Sequence, residues 1–134
     1  MPFIHLRYST PTEKDLRQPL AAFLTETTAR VLRKKPEVTA VAVEQVPASH
    51  WFIGSRSLAD HRKATFFVEV RVTRGTNVKE EKAAYLREVF RGLESLLGPV
   101  HPESYVHVHV HEAEGDAYGY GGLSQEARWH RANT

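Results

Sequence analysis

The chain has no cysteine. That absence excludes disulfide bonds, thiol nucleophiles and zinc sites built on sulfur, and it favours a reducing compartment. Long apolar runs are also missing: none approaches the roughly 20 residues that a membrane-spanning helix needs. The first residues, Met1-Pro2-Phe3-Ile4-His5, carry no basic stretch followed by an apolar core. We therefore expect a cytoplasmic protein that neither crosses nor binds a membrane.

Glycine and proline are sparse, with 8 Gly and 7 Pro among 134 residues, which excludes collagen-like and low-complexity chains. Hydrophobic residues make up 41% of the chain and charged residues 25%, as in ordinary globular proteins. This length fits one domain, residues 1–134. The formal net charge is only +2 and forms no basic stripe, so nucleic acid is not an expected partner.

The first half of the chain has the pattern of a β-α-β unit. Apolar and polar residues alternate over Phe3–Tyr8, which is typical of a half-buried strand. Apolar residues at spacings of three and four then predict a helix from about Gln18 to Lys35, before Pro36. A second strand is predicted over Val38–Val46. This order indicates a crossover between parallel strands.

The second half repeats the order. A strand is predicted over Thr65–Thr73, a helix capped by Asn77 and ended by Gly98-Pro99, and a fourth strand over Tyr105–His111. The repeat predicts an α/β (α+β) fold in which units 2–64 and 65–122 form a four-stranded sheet with two helices on one face. Residues 123–134 are left as a C-terminal tail. The other face of the sheet needs a partner, so oligomerisation is expected.

Two segments do not fit the repeat of strands and helices. Ser49–Lys63 is long for a connection and carries Trp51 and Phe52, and Gly115–Gly122 again places aromatic residues among glycines. We expect such segments to lie over a neighbouring subunit.

Pro2 is the most informative single residue. Removal of Met1 would leave a chain that begins with a secondary amine at the start of a strand. An α-amino group has an ordinary pKa of about 7.7–8.0, and burial or a nearby cation lowers it, so the amine could serve as a base near neutral pH. The alternative is that proline at position two signals only the removal of Met1.

The order of these features resembles the tautomerase superfamily, which contains 4-oxalocrotonate tautomerase and macrophage migration inhibitory factor. The resemblance covers nearly all of residues 2–122. It rests on the doubled β-α-β pattern and on four short segments: Met1-Pro2-Phe3-Ile4, Lys35-Pro36, Ser49-His50-Trp51-Phe52-Ile53-Gly54 and Tyr118-Gly119-Tyr120-Gly121-Gly122. Where short members carry arginines, after the first strand and in the second, this chain has about Thr12 and Ala42.

The resemblance implies a homotrimer in which Pro2 is the catalytic base or acid, basic side chains bind a carboxylate, and an aromatic residue excludes water. Arg71, Arg74 and Lys35 are the candidate carboxylate ligands, because a guanidinium can hold a carboxylate in a bidentate manner. For Arg71 the alternative is an ion pair with Glu69, and for Lys35 it is a charge that complements the end of a helix.

Four further side chains are candidates for substrate contact: His107, His109, Tyr118 and Trp51. The resemblance assigns substrate contact to His107 and His109, and the Tyr118 hydroxyl could donate to a developing enolate oxygen. Trp51 could shield Pro2 from water or simply anchor its loop. Tyr118 has the same two interpretations.

His107, His109 and His111 alternate with valines, so the pattern predicts that all three imidazoles point to one face of the fourth strand. Such a row can chelate zinc or pack at a subunit interface. Spacing places no acidic fourth ligand, so we expect no metal and no cofactor. His111 is expected at an interface.

The resulting hypothesis is a tautomerase that uses Pro2 for keto-enol proton transfer on a small 2-oxo or 2-hydroxydienoic carboxylic acid. One alternative keeps Pro2 protonated, as the acid of a dehalogenase or decarboxylase. The other is a binding protein that retains the fold without catalysis.

Overall fold

The computed structural model describes residues 2–101 and 107–132. Its four long strands form one mixed sheet, and two long helices cover one side of it. The strands are β1 (Phe3–Ser9), β2 (Ala40–Gln45), β5 (Thr65–Thr73) and β6 (Val108–Ala113), and the helices are α1 (Arg17–Val31) and α3 (Lys79–Leu97). Within the described ranges no helix is both long and apolar enough to span a bilayer.

Each half of the chain ends in a short hairpin followed by a helix. In the first half these are β3 (Phe52–Ile53), β4 (Arg56–Ser57) and α2 (Leu58–His61). In the second half they are β7 (Gly119–Tyr120), β8 (Leu123–Ser124) and α4 (Gln125–Ala132). The predicted tail after residue 122 therefore contains a strand and a helix.

The sheet order is β2-β1-β5-β6. β1 and β2 run parallel, as do β5 and β6, whereas β1 and β5 pair antiparallel at the centre. The two predicted crossover units are confirmed, and they lie side by side in opposite directions. Consequently the start of β1 and the end of β5 meet at one end of the sheet.

Successive side chains along the central strands point to opposite sides, so the sheet has two different faces. One face is buried beneath the helices and carries Ile4, Leu6 and Tyr8 from β1 and Phe66, Val68, Val70 and Val72 from β5. The other face, here called the open face, carries the intervening residues, including the exposed Phe3 and Arg71. A register slip of one residue would exchange these two sets.

The helices pack closely on each other as well as on the sheet. A Cβ built on Gly92 of α3 would lie 1.9 Å from the ring of Phe23, so the absent side chain permits this approach. Pro19 lies in the first turn of α1, where its missing N–H has no partner to lose.

The boundaries of three elements differ from the predictions. α1 ends at Val31 rather than Lys35, and β2 begins at Ala40, after a 3₁₀ turn over Pro36–Val38. The fourth strand was predicted over Tyr105–His111, but β6 runs Val108–Ala113; residues 102–106 lie outside the described part of the chain.

The predicted cap of the second helix is also wrong. Val78 occupies the cap position of α3, and its N–H donates to Glu81 Oε1 at 2.8 Å. Asn77 instead turns its buried side chain toward α1, where Nδ2 donates to the carbonyl of Leu32 at 2.8 Å. The amide therefore satisfies a carbonyl at the end of α1, which local sequence could not reveal.

Replacing Tyr85 with Phe is expected to destabilise the fold by about 1–2 kcal/mol, because the change removes a buried hydrogen bond and leaves the Thr28 hydroxyl without this partner. The Tyr85 hydroxyl bonds to Thr28 Oγ1 at 2.8 Å and joins the two long helices. Chemical denaturation at neutral pH measures the loss. Tyr120→Phe is the matched control, because Tyr120 is 43% exposed and outside the core.

The same variant should alter the response to alkali. Burial raises the pKa of Tyr85 to about 12, whereas an unfolded tyrosine ionises near 10. The unfolded chain therefore loses this proton first, and the contribution of Tyr85 to stability is complete below about pH 10 and falls as pH rises toward 12. Tyr85→Phe should flatten stability across that window; an unchanged slope would contradict the assignment.

Candidate active site

A pocket of about 310 Å³ lies at the end of the sheet where β1 begins and β5 ends. It contains the residue singled out from the sequence, Pro2. Its walls are formed by Pro2, Phe3, Ala40, Arg71, Tyr118, Gly119 and Tyr120. Among the described residues the pocket thus combines Pro2, the Arg71 cation and the phenols of Tyr118 and Tyr120.

The floor of the pocket is a cross-strand row on the open face. Phe3 pairs with Ala40 of β2 on one side and with Arg71 of β5 on the other. Pro2 is buried next to this row, and its carbonyl accepts the N–H of Ala40 at 3.2 Å. The sheet register therefore fixes the position of Pro2 relative to the Arg71 guanidinium.

The β7–β8 hairpin supplies the other wall. Tyr118 OH forms a hydrogen bond with Thr73 Oγ1 at the end of β5, which ties the hairpin to the sheet. A Cβ at Gly119 would lie 1.9 Å from the carbonyl oxygen of Leu123, so the hairpin closes this tightly only with glycine there. Two aromatic rings are thereby held at the mouth of the pocket.

Helix α4 braces the hairpin from outside. The Arg128 guanidinium lies 3.7 Å from the centre of the Tyr120 ring, a cation–π contact. The same side chain donates through Nη2 to the carbonyl of Tyr120 at 2.8 Å. Both contacts restrict the conformational freedom of Tyr120, which lines the pocket.

Among the described wall residues Arg71 is the one with a charged side chain, and it is already paired. Its Nε and Nη2 lie 3.1 and 3.0 Å from the same oxygen of Glu69. For Arg71 the two predicted alternatives are a carboxylate ligand and an ion pair with Glu69. The structure shows the ion pair and places Arg71 in the pocket wall, and binding of a carboxylate stays a prediction. The Arg71 side chain is 57% exposed, and Glu69 offsets its charge.

Two predicted site residues lie at the opposite end of the sheet. Trp51 follows the end of β2, where the last residue of that strand pairs with Tyr8. His107 immediately precedes β6 and is level with the cross-strand pair of Phe67 and Arg7. Five residues of strand, about 17 Å at 3.3 Å per residue, separate this level from Pro2. Within one chain these two residues therefore do not line the Pro2 pocket. Trp51 lies at the far end because each β-α-β unit sends its hairpin to the far end of its own first strand. The contact of Trp51 and His107 with substrate stays a prediction.

Three other candidates lie outside the pocket wall although they are closer to its end of the sheet. Lys35 is exposed ahead of the 3₁₀ turn that leads into β2. Arg74 follows β5, and its Nη1 pairs with Glu114 at 3.1 Å. His109 lies on the open face, with Nδ1 3.9 Å from the second oxygen of Glu69. Of these, only His109 connects to Arg71, through Glu69.

The three histidines do not form the predicted row. His109 and His111 are neighbours on the open face, with ring centres 5.9 Å apart. The His107 ring packs instead against Phe66 and Phe90 on the helix side, and burial lowers its pKa. The prediction that all three share one face is wrong because His107 precedes the strand. Among residues 2–101 and 107–132, no group of three His, Cys, Asp or Glu side chains is arranged to hold a metal ion.

The sequence analysis did not select Phe3, Ala40 or Tyr120 as pocket residues. One signal was present: Phe3 is a large aromatic residue that alternation places on the polar face of β1. Tyr120 stands in the same glycine-rich segment as Tyr118. No feature of the sequence marks Ala40, because only the pairing of β1 with β2 places it in the pocket wall.

Comparison with solved structures identifies the fold. A native fused 4-OT superposes with a TM-score of 0.74 at 24% identity, covering 92% of this chain and 97% of that one. The chain has the tautomerase fold. Pt0534, solved after inactivation by 2-oxo-3-pentynoate, superposes at 0.75 with 15% identity, covering 93% and 98%. A macrophage migration inhibitory factor-like protein from Entamoeba histolytica superposes at 0.70 with 14% identity, covering 92% and 97%.

Three further fused 4-OT structures with this tautomerase fold are trimers. No family model and no curated protein matches the sequence itself.

Replacing Glu69 with Gln should tighten binding of a small carboxylate at Arg71 by about fivefold, because an exposed ion pair is worth up to about 1 kcal/mol and the ligand no longer competes with it. Titration with pyruvate, followed by the NMR shifts of Tyr118 and Gly119, measures the affinity. Glu114→Gln is the matched control, since it frees Arg74 outside the pocket. Weaker binding in Glu69→Gln would mean that Glu69 mainly holds Arg71 in place.

Proposed function

We propose that this chain is a member of the tautomerase superfamily and an isomerase in which the amine of Pro2 moves a proton during keto-enol isomerisation of a small 2-oxo or 2-hydroxydienoic acid. The observation that supports this most is that Pro2, Arg71 and Tyr118 line one pocket. Such a pocket offers a base, a carboxylate ligand and a hydroxyl donor.

The proposal requires removal of Met1, which leaves Pro2 with a secondary amine. The walls around it are mostly apolar, and the charged residue among the described wall residues is Arg71. Desolvation and a nearby cation both disfavour the protonated amine, so the pKa of Pro2 should lie below the ordinary α-amine value of about 7.7–8.0. A neutral amine can then accept a proton from carbon near pH 7.

The mechanism assigns one task to each group. Arg71 binds the substrate carboxylate, which directs the adjacent 2-oxo oxygen toward the Tyr118 hydroxyl. Pro2 removes a proton from the carbon next to the ketone, and negative charge moves to the oxygen, where Tyr118 donates a hydrogen bond. Pro2 then returns the proton to the same or the conjugated carbon, so substrate and product are isomers and no cofactor is consumed.

The charge of the pocket supports a monocarboxylate as substrate. Within the part of the chain that the structure describes, Arg71 is the only charged wall residue, and Glu69 offsets it. The second carboxylate of a diacid would meet no cation among the described wall residues. The inactivation of Pt0534 by 2-oxo-3-pentynoate, itself a 2-oxo monoacid, agrees with this class.

We also propose a homotrimer, in line with the trimeric fused 4-OT structures. The open face leaves Phe3 45% exposed and presents the imidazoles of His5 and His109 and the carboxylates of Glu44 and Glu69, polar groups that another copy could complement. Sedimentation equilibrium gives the number of copies directly.

Treatment with 2-oxo-3-pentynoate should add one label per chain, and peptide mapping should place it on Pro2. The alkyne conjugated to the ketone is an acceptor for a neutral amine, so labelling reports both the free amine and its protonation state. Pro2→Ala should lower kcat/KM toward enolisable 2-oxo acids by at least about 100-fold, the usual contribution of a positioned base. Intact mass before treatment checks that Met1 is absent.

Two arginine variants provide the control for this experiment. Arg71→Gln should raise KM with a smaller effect on kcat, because it removes binding of the carboxylate. Arg74→Gln, which changes a cation outside the pocket wall, should leave both constants near their original values. Retention of Met1, or a label on a lysine with Pro2 unmodified, would refute the proposal.

A further inference from the structure

The two hairpin-helix segments, here called the first module (residues 51–61) and the second module (residues 118–128), are built alike. Three hydrogen bonds recur at equivalent positions. In the first module they are Leu58 N–H to Trp51 O at 2.9 Å, Asp60 N–H to Ser57 Oγ at 3.4 Å and His61 Nε2 to Ile53 O at 2.9 Å. In the second they are Gln125 N–H to Tyr118 O at 2.8 Å, Ala127 N–H to Ser124 Oγ at 3.0 Å and Arg128 Nη2 to Tyr120 O at 2.8 Å. Trp51 is thus the counterpart of Tyr118.

The sheet carries the same duplication on its open face. Antiparallel pairing of β1 and β5 sets Phe3 opposite Arg71 at one end and Phe67 opposite Arg7 at the other. Each arginine also has a carboxylate partner. Arg71 lies 3.0 Å from Glu69, and Arg7 lies 3.5 Å from Glu44. A phenylalanine and a guanidinium therefore face each other at both ends of the sheet.

Each module follows the strand that leads to its own end of the sheet. The second module places Tyr118 beside Phe3 and Arg71 in the pocket already described. The first module follows β2, so Trp51 emerges at the end of the sheet that holds Phe67 and Arg7. Phe52 in this module is 61% exposed. The aromatic residues and cation of the pocket thus have counterparts at the opposite end.

The two ends differ in one chemical respect. Pro2 precedes Phe3 in β1, whereas Phe66 precedes Phe67 in β5, and Phe66 is completely buried. An internal phenylalanine offers no amine. The opposite end therefore has groups suited to binding but lacks the base.

We propose that Arg7, Phe67 and Trp51 form a second binding site, for a small monocarboxylate with a flat apolar body, which the chain binds without converting. The guanidinium binds the carboxylate and the aromatic side chains contact the body of the ligand. Arg7 is suited to this role because it is half exposed and its ion pair is longer than that of Arg71. The site does not depend on the chemistry proposed for Pro2.

Trp51 makes the site observable. The chain has two tryptophans, Trp51 and Trp129, so a Trp129→Phe background leaves Trp51 as the only tryptophan emitter. Phenylacetate is the probe, and phenylacetamide, which has the same shape without the charge, is its control. Phenylacetate should change the Trp51 emission saturably, and phenylacetamide should bind at least about 10-fold more weakly, as expected on loss of charge-assisted hydrogen bonds.

Matched arginine variants locate the binding. In the Trp129→Phe background, Arg7→Gln should weaken the Trp51 response about 10-fold and Arg7→Lys by less, whereas Arg71→Gln should leave it unchanged. The melting temperature of each variant checks that it folds, and Arg7→Lys keeps the test available if Arg7→Gln does not. Blocking Pro2 with 2-oxo-3-pentynoate should also leave the response intact, which separates this site from the proposed active site.

Three results would overturn the proposal. The first is no saturable Trp51 response to phenylacetate. The second is a response lost in Arg71→Gln but retained in Arg7→Gln, which would assign binding to the Pro2 pocket. The third is a Trp51 emission that changes with protein concentration but not on addition of phenylacetate. That result would mean that another copy of the chain covers this end of the sheet.

Discussion

The antiparallel pairing of β1 with β5 is the constraint on which the rest of the structure depends. It joins two parallel units at the centre of one sheet and sets which side chains face the helices. It also brings the start of β1 level with the end of β5, so Pro2 and Phe3 lie beside Arg71. Because side chains alternate with a period of two, a slip of one residue would bury the arginine and expose the core.

The sequence predicted the local elements well because their causes are local. The alternation of apolar and polar residues predicted β1 to within one residue and the full extent of β5. The spacing of apolar residues predicted both long helices, although α1 ends at Val31 and not at Lys35. Long-range contacts were not encoded in the same way. Asn77 was assigned as a cap, yet it binds the carbonyl of Leu32 in the other unit. Likewise the sequence offered Tyr118 and Trp51 as equivalent candidates for substrate contact, since only the pairing of the two units decides that the hairpin of Tyr118 lines the Pro2 pocket of the same chain.

Because the fold is duplicated, the position of the proposed Pro2 amine decides which end of the sheet can carry proton transfer. Both ends of the sheet present a phenylalanine opposite an arginine. At each end the strand that arrives there continues into a hairpin-helix module of the same build. Only a chain terminus can offer a secondary amine, and only one end of the sheet lies beside it. In this account the scaffold supplies carboxylate binding twice and proton transfer once. The pairing of Arg71 with Glu69 offsets the charge at the Pro2 end, which suits the singly charged ligand proposed for it.

The central claim is that Pro2 is a neutral amine within an apolar pocket. Selective ¹⁵N labelling of proline and an NMR pH titration would measure its pKa directly. The account predicts a Pro2 amine resonance that titrates below the ordinary range of about 7.7–8.0, because its walls are largely apolar and Arg71 adds a positive charge. An amine that stays protonated well above that range would contradict the account and indicate acid chemistry instead.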